Sequence, residues 1–248
     1  MNFFSALFEK KSQLPLADLS ALQADMHSHL IPGIDDGAQT LEDSLELIKE
    51  LHQLGYKKLI TTPHIMSDRY KNTPEIILDG LKKVREAVKN EGIPIELHAA
   101  AEYYLDFDFE AKIERGELLT FGDNYVLFEV SFINPPQNLD QIVFKLQTSG
   151  YKPVLAHVER YPYWYNDEQV YQKFKDAGVL LQLNIASLTG YYSPQTKKVA
   201  ERLIDNNMID LLGTDCHTMH YIKLLKSCLT KKHLHKALAS GRLLNNRL

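Results

Sequence analysis

The 248-residue sequence has little cysteine, no long apolar run and no concentration of positive charge. Cys216 and Cys228 are its only cysteines, too few for a disulfide framework, which favours a reducing compartment. No segment approaches the ~20 apolar residues that a membrane-spanning helix needs, so stable membrane insertion is not expected. The formal net charge of −4 and the lack of a basic stripe argue against nucleic acid as a partner.

The N-terminal residues 1–11 contain a short apolar stretch that is followed by lysines. A secretory signal has the opposite order and a longer apolar region, so the protein is expected to be cytoplasmic. The pattern predicts a short amphipathic helix that docks on the protein itself or on a partner. We expect residues 1–23 to form an N-terminal extension and residues 24–248 to form one domain.

Short apolar runs alternate with segments of helical periodicity along the rest of the chain. The runs cover residues 22–27, 58–62, 95–101, 125–130, 153–157, 180–185 and 210–213, and the helical segments cover residues 41–54, 74–90, 136–150 and 194–207. Thr40 and Thr73 precede two of these segments as candidate N-caps, and Pro74 suits a first helical position. Strands that alternate with helices predict parallel pairing in one α/β domain. Periodicity alone leaves open whether the sheet closes into a barrel or stays open and doubly wound.

The ends of the predicted strands carry an unusual set of polar residues. Six of the seven runs contain or end in a histidine or a carboxylate, namely His27, His29, His64, Glu102, Glu129, His157, Asp215 and His217. The carboxyl ends of parallel strands share one side of the sheet, and active sites form there. Residues two apart on a strand point to the same side, which suits the pairs His27-x-His29 and Asp215-x-His217.

Carboxylates and imidazoles that converge in a buried place need a partner that offsets their charge and binds their hydrogen-bonding atoms. Buried carboxylates and imidazoles without partners cost several kcal/mol each. Imidazole and carboxylate together are a ligand set for divalent metals. The sequence therefore predicts a metal cluster at the carboxyl ends of the strands.

These motifs resemble those of the PHP (polymerase and histidinol phosphatase) superfamily, and more closely those of its capsule-type bacterial tyrosine-protein phosphatases. The resemblance extends over nearly the whole chain and is carried by residues 25–37, 61–64, 101–103, 156–161, 181–184 and 214–217. Its most specific part is Pro-Gly-Ile-Asp-Asp-Gly at residues 32–37, which follows the His-x-His motif. His-x-His with a later Asp-x-His marks only the superfamily.

The resemblance implies a distorted (β/α)7 barrel, similar to a TIM barrel, with three divalent or trivalent metal ions at the carboxyl ends of its strands. It divides the ligands as follows: His27, His29, Glu102 and Asp215 for the first metal, Glu102, Glu129 and His157 for the second, and Asp36, His64 and His217 for the third. Asp36 stands where many superfamily members have histidine, which favours the tyrosine-phosphatase branch. Manganese is the first expectation for the metal, with iron, cobalt or zinc as alternatives.

By the same resemblance, the chain is a metal-dependent phosphomonoesterase that hydrolyses phosphotyrosine on a protein by metal-hydroxide attack. The substrate implied is the tyrosine-rich tail of a kinase that controls capsular or exopolysaccharide synthesis. Arg160 would clamp the phosphoryl group. Apart from the resemblance, Tyr161, Tyr163 and Trp164 follow a predicted strand end and form the loop most suited to substrate contact, with ordinary loop packing as the alternative. The Cys-x5-Arg loop of cysteine-dependent phosphatases is absent, since Ile222 stands where its arginine would follow Cys216.

Other functions share this kind of site, because fold does not determine chemistry. A phosphatase for small molecules such as histidinol phosphate, a phosphodiesterase and a metal-dependent amide hydrolase all remain as enzyme alternatives. A regulatory binding module stabilised by metals is the non-enzymatic alternative. Structural metal sites are coordinatively closed, so an excess of ligands beside an arginine favours catalysis. The oligomeric state stays open.

Overall fold

A computed structural model describes residues 14–248, so the helix predicted for residues 1–11 lies outside the described residues. The strands are β1 (Ala24–Asp25), β2 (Lys58–Thr61), β3 (His64–Ile65), β4 (Glu96–Ala99), β5 (Glu102–Tyr104), β6 (Tyr125–Glu129), β7 (Lys152–Leu155), β8 (Leu180–Asn184) and β9 (Leu211–Gly213). The α-helices are α1 (Leu41–Gln53), α2 (Pro74–Asn90), α3 (Phe107–Arg115), α4 (Leu139–Thr148), α5 (Glu168–Asp176), α6 (Pro194–Asp205), α7 (Met219–Cys228) and α8 (Lys232–Ala239). No helix among residues 14–248 is both long and apolar enough to span a bilayer.

Every pair of neighbouring strands is parallel, in the orders β1-β2-β4 and β3-β5-β6-β7-β8-β9. β2 and β3 are two pieces of one strand interrupted by Thr62 and Pro63, and β4 and β5 are likewise separated by two residues. Backbone hydrogen bonds continue the pairing across both interruptions. The Ala100 N–H donates to the carbonyl of Thr61 at 2.9 Å, and the Glu102 N–H donates to the carbonyl of Pro63 at 3.1 Å. The nine short strands therefore occupy seven positions around the sheet.

The two ends of the sheet meet beyond β1 and β9. Ser28 and Cys216 form a parallel bridge, and the Asp215 N–H donates to the carbonyl of His27 at 2.7 Å. The His29 N–H donates to the carbonyl of Cys216 at 2.9 Å. These bonds close seven strand positions into a ring, which confirms the predicted (β/α)7-type barrel and excludes the open sheet.

The helices begin where the capping signals predict. Thr40 accepts a hydrogen bond from the Asp43 N–H in a capping box at the start of α1. Thr73 caps α2 in the same way, and Pro74 occupies its first turn. The four predicted helical segments do not include α3, α5, α7 or α8. Of these, α3 and α5 have only nine residues each and bury only two side chains, too few for a clear apolar period.

The interior of the barrel has an apolar lower layer and a polar upper layer. Met26, Ile60, Leu127, Val154 and Leu211 belong to a buried cluster that is separate from the one beneath the helices. Residues two positions further along a strand share the same face, so Glu129 lies above Leu127 on β6. The apolar layer therefore supports the polar side chains at the carboxyl ends of the strands.

Residues 14–23 pack against the barrel rather than projecting from it. Leu19 and Leu22 are buried in a short 3-10 helix, and the Ala17 N–H donates to the carbonyl of Leu229 at 2.7 Å. The part of the predicted extension that the structure describes is therefore anchored next to α7.

Candidate active site

Four buried side chains from three parts of the barrel converge on one point at its carboxyl end. The ligand-type atoms of His27, His29, Glu102 and Asp215 all lie within 4.8 Å of one another. His27 Nε2 is 3.1 Å from Glu102 Oε2 and 3.3 Å from Asp215 Oδ1. His29 Nε2 is 3.4 and 3.5 Å from the same two oxygens, yet it has no hydrogen-bond partner. Two carboxylates and two imidazoles therefore surround a space that suits a cation.

A second group lies beside the first and shares His29 with it. Asp36 Oδ1 is 3.5 Å from His64 Nε2 and 3.5 Å from His217 Nε2, and these ligand atoms and one from His29 lie within 4.8 Å of one another. The His217 Nδ1 donates to the backbone carbonyl of Asp215 at 2.8 Å, which leaves its Nε2 toward Asp36. This group contains the three residues that the resemblance places around the third metal.

The remaining predicted residues surround Glu102. His64 Nδ1 lies 3.3 Å from Glu102 Oε2 and 3.2 Å from Glu129 Oε1, and the three form a further group of mutually close ligand atoms. His157 Nε2 lies 2.9 Å from Glu102 Oε1 and 3.6 Å from Glu129 Oε2. The structure thus brings all nine predicted side chains together, with His64 and His157 both facing the Glu102–Glu129 pair.

The buried carboxylates of the site raise the pKa of three imidazoles that face them, those of His27, His29 and His64. Burial opposes protonation of His27, but Glu102 and Asp215 outweigh it and raise its pKa to about 9. Burial favours the neutral acid at Glu102, yet the charges of His27 and His64 hold its pKa well below the usual range. Metal ligation requires neutral imidazole and ionised carboxylate, so a cation would take over the neutralising role of these protons.

Two buried ring nitrogens without hydrogen-bond partners are further evidence that these imidazoles and carboxylates suit metal ions. Buried polar atoms are nearly always hydrogen-bonded, because leaving them unpaired costs about 1–3 kcal/mol each. His29 Nε2 and His64 Nδ1 are buried without such a bond, and both face the carboxylates of the cluster. Two unpaired nitrogens aimed at a group of carboxylates are expected of metal ligands, not of a packed core.

A layer of residues behind the cluster fixes the orientation of its rings. Asp35 Oδ2 accepts from His29 Nδ1 at 2.7 Å and from the backbone N–H of His64 at 3.1 Å. Gln182 Oε1 accepts from His27 Nδ1 at 3.0 Å. An imidazole that donates through Nδ1 presents its Nε2 lone pair, so these bonds set the tautomers of His27 and His29.

Two amides on β8 complete this layer and were not predicted as site residues. Asn184 Nδ2 donates to Asp215 Oδ2 at 2.6 Å, and Gln182 Nε2 donates to Asn184 Oδ1 at 2.9 Å. The run that contains them was the one without a histidine or a carboxylate. Two buried amides spaced two apart in an apolar strand were the signal that could have found them.

The backbone is strained at two of the converging residues. His157 and Asp215 have φ angles of 32° and 50°, in the left-handed region that residues with side chains rarely adopt. Both follow the end of a strand, where the turn directs their side chains over the barrel. Such strain collects at functional sites, where the surrounding contacts hold it in place.

Gly213 allows β9 to pack closely against His27. A Cβ at position 213 would lie only 2.7 Å from the Cβ of His27.

Arg160 lies next to the cluster as the resemblance implies. Its Nη1 donates to Asp215 Oδ2 at 3.2 Å, and its guanidinium carbon lies 4.7 Å from the ring centroid of Phe132 and 4.2 Å from that of Tyr192. The side chain is about a quarter exposed, with a relative accessibility of 23%, so part of the guanidinium reaches solvent. That part lines a cleft of about 750 Å³ above the converging side chains.

A family model described as capsular polysaccharide synthesis, CpsB/CapC, matches residues 23–240, most of the chain. The chain belongs to the CpsB/CapC family. The resemblance proposed from the motifs is thereby confirmed.

The relatives of this CpsB/CapC chain are named as phosphatases. The chain is 29% identical over 196 residues to the tyrosine-protein phosphatase YwqE of Bacillus subtilis, a match that covers 79% of this chain and 77% of YwqE. It is 26% identical over 219 residues to the tyrosine-protein phosphatase CpsB of Streptococcus pneumoniae, covering 84% and 90%. A solved structure from work on these two proteins, described as unique metal-dependent tyrosine phosphatases, matches with a TM-score of 0.78. It is 26% identical and covers 91% of this chain and 95% of that chain.

The aromatic side chains of this CpsB/CapC chain are not all placed as expected. Tyr161 and Trp164 are buried, and the Tyr161 hydroxyl accepts a hydrogen bond from the Val130 N–H at 3.2 Å. Tyr163 donates its hydroxyl proton to the carbonyl of Ser131 at 2.6 Å. None of these three side chains lines the cleft, although Arg160 of the same segment does. The segment forms two 3-10 turns, Val158–Arg160 and Pro162–Trp164, and the aromatic lining of the cleft is Tyr70, Tyr104, Phe132, Tyr191 and Tyr221. The expected substrate contact of this loop stays a prediction.

Proposed function

We propose that this chain is a metal-dependent protein-tyrosine phosphatase that hydrolyses the phosphate monoester of phosphotyrosine. The observation that carries the proposal is the convergence of nine imidazole and carboxylate side chains beside Arg160 at the floor of one cleft. A cleft of about 750 Å³ is in the usual range for small ligands and can admit an aryl phosphate. The names of the CpsB/CapC relatives support the same activity.

We further propose three metal ions, manganese first, held as the resemblance divides the ligands. His27, His29, Glu102 and Asp215 would hold one, Glu102, Glu129 and His157 a second, and Asp36, His64 and His217 the third. When bound, such ions activate water for attack and offset the charge of the phosphoryl group. His64 Nδ1 also lies near both carboxylates of the second group, at 3.3 Å from Glu102 and 3.2 Å from Glu129, so it is a further candidate ligand there.

The residues of the chain itself would bind and orient the phosphoryl group. Arg160 presents a planar fork whose geometry matches two phosphate oxygens, and the ion pair with Asp215 holds that fork at the cleft. Cys216 is not a nucleophile in this proposal, because it is buried and burial raises the pKa of its thiol well above the usual range.

The substrate that we propose is a phosphotyrosine-bearing protein segment, with the tail of a polysaccharide-regulating tyrosine kinase as the candidate implied by the resemblance. A cytoplasmic location and a division into a 1–23 extension and a 24–248 domain stay predictions. Proteolysis from the N-terminus would test the division: a stable fragment that begins near residue 24 would support it, whereas one that begins near residue 14 would add the segment packed beside α7 to the domain.

A substrate panel tests the function. The protein loaded with Mn²⁺ is expected to hydrolyse phosphotyrosine peptides faster than histidinol phosphate and faster than a diester such as bis(p-nitrophenyl) phosphate. Preference for histidinol phosphate or for the diester would support the small-molecule alternatives instead. Binding of vanadate without turnover of any member of the panel would support the non-catalytic binding module.

Chelation and a cysteine variant test the chemistry. Exhaustive chelation should abolish hydrolysis, and added Mn²⁺ should restore it. Cys216→Ser should keep most of the activity, because serine preserves the buried volume closely and the thiol takes no part. Full activity in metal-free protein would overturn the proposed mechanism.

A further inference from the structure

A second groove lies beside the active-site cleft, and the two cavities share a lining residue. The groove has a volume of about 640 Å³, and Met66 lines both cavities. One wall is residues 65–75, which lead from β3 into α2, and the other is formed by α3 and Glu117. A polypeptide that places one side chain over the metal-ligand cluster can therefore continue into this groove without leaving the surface.

The α3 wall presents a large apolar side chain to solvent. Phe107 is 85% exposed at the first position of α3, and it lines the groove. Single exposed apolar residues are common on protein surfaces, but this one stands at the end of a groove that leads to the cluster. A passing polypeptide would cover it and remove apolar area from water.

Arg69 and Lys71 lie on the loop that follows Met66, the residue that both cavities share. Among residues 14–248, Arg69 and Lys71 form no salt bridge; Arg69 lines the cleft, and Lys71 lines the groove. The cations on the α3 wall differ, since Lys112 pairs with Asp108 and Arg115 pairs with Glu117. The first turn of α2 also faces the groove, and a helix N-terminus favours negative charge. Glu75, which lines the same groove, is the one acidic residue there without a salt bridge.

We propose that this groove seats the substrate residues that flank the phosphotyrosine, and that it selects an acidic residue near Arg69 and Lys71 and an apolar residue near Phe107. The inference rests on the proposed function and extends it from the phosphotyrosine to its sequence context. A small aryl phosphate would occupy the cleft alone and gain nothing from the groove. The groove is therefore a specificity device for polypeptides.

Charge reversal at Arg69 and Lys71 tests the electrostatic part. The double variant Arg69→Glu/Lys71→Glu is assayed on free phosphotyrosine, on an acidic phosphotyrosine peptide and on the same peptide with its acids replaced by alanine. We expect kcat/KM for the acidic peptide to fall about tenfold, mainly through KM, and less for the alanine peptide. Added salt should shrink the difference, because exposed charges are screened within about 10 Å at 0.1 M.

Matched controls separate this effect from a general change of charge. Lys82→Glu/Lys83→Glu alters the net charge of the protein equally on an exposed part of α2 outside the groove. It should leave all three substrates unaffected. Equal losses in both double variants, or an equal loss on free phosphotyrosine, would overturn the proposed acidic contact.

Phe107→Ser tests the apolar part with little risk to folding, since the side chain is almost fully exposed. KM for the peptides should rise a few-fold while free phosphotyrosine is unaffected. Phe144→Ser, at a position 66% exposed on α4 and outside both cavities, is the control and should change nothing. If the wild-type protein cleaves free phosphotyrosine and every peptide is insensitive to these variants, the groove has no such role. If it cleaves no phosphotyrosine substrate, the proposed function itself fails.

Discussion

The guanidinium carbon of Arg160 lies 4.2 Å from the ring centroid of Tyr192. Phe132 contacts the same group at 4.7 Å, and Asp215 accepts a hydrogen bond from its Nη1 at 3.2 Å. Aromatic faces attract cations, and the carboxylate fixes one edge of the fork. The arginine is therefore held in one orientation before any substrate arrives, so less conformational entropy is lost when a phosphate binds.

Arg160→Ala is expected to lower kcat by about 10²–10³, the usual effect of removing one donor that stabilises charge in a transition state. Its metal content should stay unchanged, because the nine proposed ligands remain. Arg160→Lys should recover only part of the loss, since an ammonium keeps the charge but lacks the planar fork. Steady-state kinetics and elemental analysis check both statements. A collapse of metal content in Arg160→Ala would show that the residue supports the metal site instead.

Tyr192 offers a test of orientation, because its ring and its hydroxyl can be removed separately. Tyr192→Leu removes the ring beside Arg160, and a loss of about 1 kcal/mol, roughly fivefold in kcat/KM, is expected. Tyr192→Phe keeps the ring and gives up only long contacts to Asn184 (3.4 Å) and Asp215 (3.5 Å), so it should behave nearly as wild type. Inhibition by inorganic phosphate should weaken in parallel in the leucine variant alone. Equal losses in both variants would assign the role to the hydroxyl.

Asp35 lies behind the cluster and is expected to control metal affinity. Asp35→Ala removes the acceptor for the His29 ring and for the His64 N–H, and residues in this position typically contribute about 10–100-fold in metal affinity. Competition with a chelator of known affinity measures the change. Asp79→Ala, at an exposed position on α2, is the matched control and should retain the wild-type affinity. Unchanged affinity in Asp35→Ala would exclude this positioning role.

Glu159 should make stability depend on pH. Burial raises its pKa to about 7 from an ordinary value of 4.5, although hydrogen bonds from Ser187 and the Asn184 N–H oppose the shift. Between these two values the folded state binds more protons than the unfolded state, so the free energy of unfolding falls as the pH rises. Glu159→Gln cannot titrate, and its stability relative to wild type should therefore improve from pH 4.5 to pH 8. Chemical denaturation with saturating metal measures this, and a constant difference across that range would contradict the shifted pKa.

Much of the barrel could be predicted because its strands and longer helices have strong local signals. The capping residues Thr40 and Thr73 specify where α1 and α2 begin, and parallel alternation requires the strand ends to share one side. Whether the aromatic residues after His157 face the cleft or the core could not be predicted, because an aromatic side chain carries no local signal for either. The Tyr161 hydroxyl accepts a hydrogen bond from the Val130 N–H, a contact between loop residues that are remote in sequence.

The residues that support the cluster were missed for a related reason. Gln182 and Asn184 act through bonds to side chains far along the chain, such as the 3.0 Å contact between Gln182 and His27, and Asp35 also accepts from the backbone N–H of His64 on β3. The local sequence around an amide side chain in a strand is the same whether that amide orients a histidine or forms a hydrogen bond with an adjacent strand. Its role depends on which strands become adjacent when the barrel closes.

From the sequence alone one could predict that eight side chains meet on one side of a parallel α/β domain: His27, His29, His64, Glu102, Glu129, His157, Asp215 and His217. That result follows from periodicity and strand direction, which are local properties of the backbone. Only the tertiary structure decided that the sheet closes, because closure depends on the hydrogen bonds from Asp215 and His29 to residues at the opposite end of the chain. It also decided which side chains line the cleft and where a second groove joins it, since these depend on how non-adjacent elements pack.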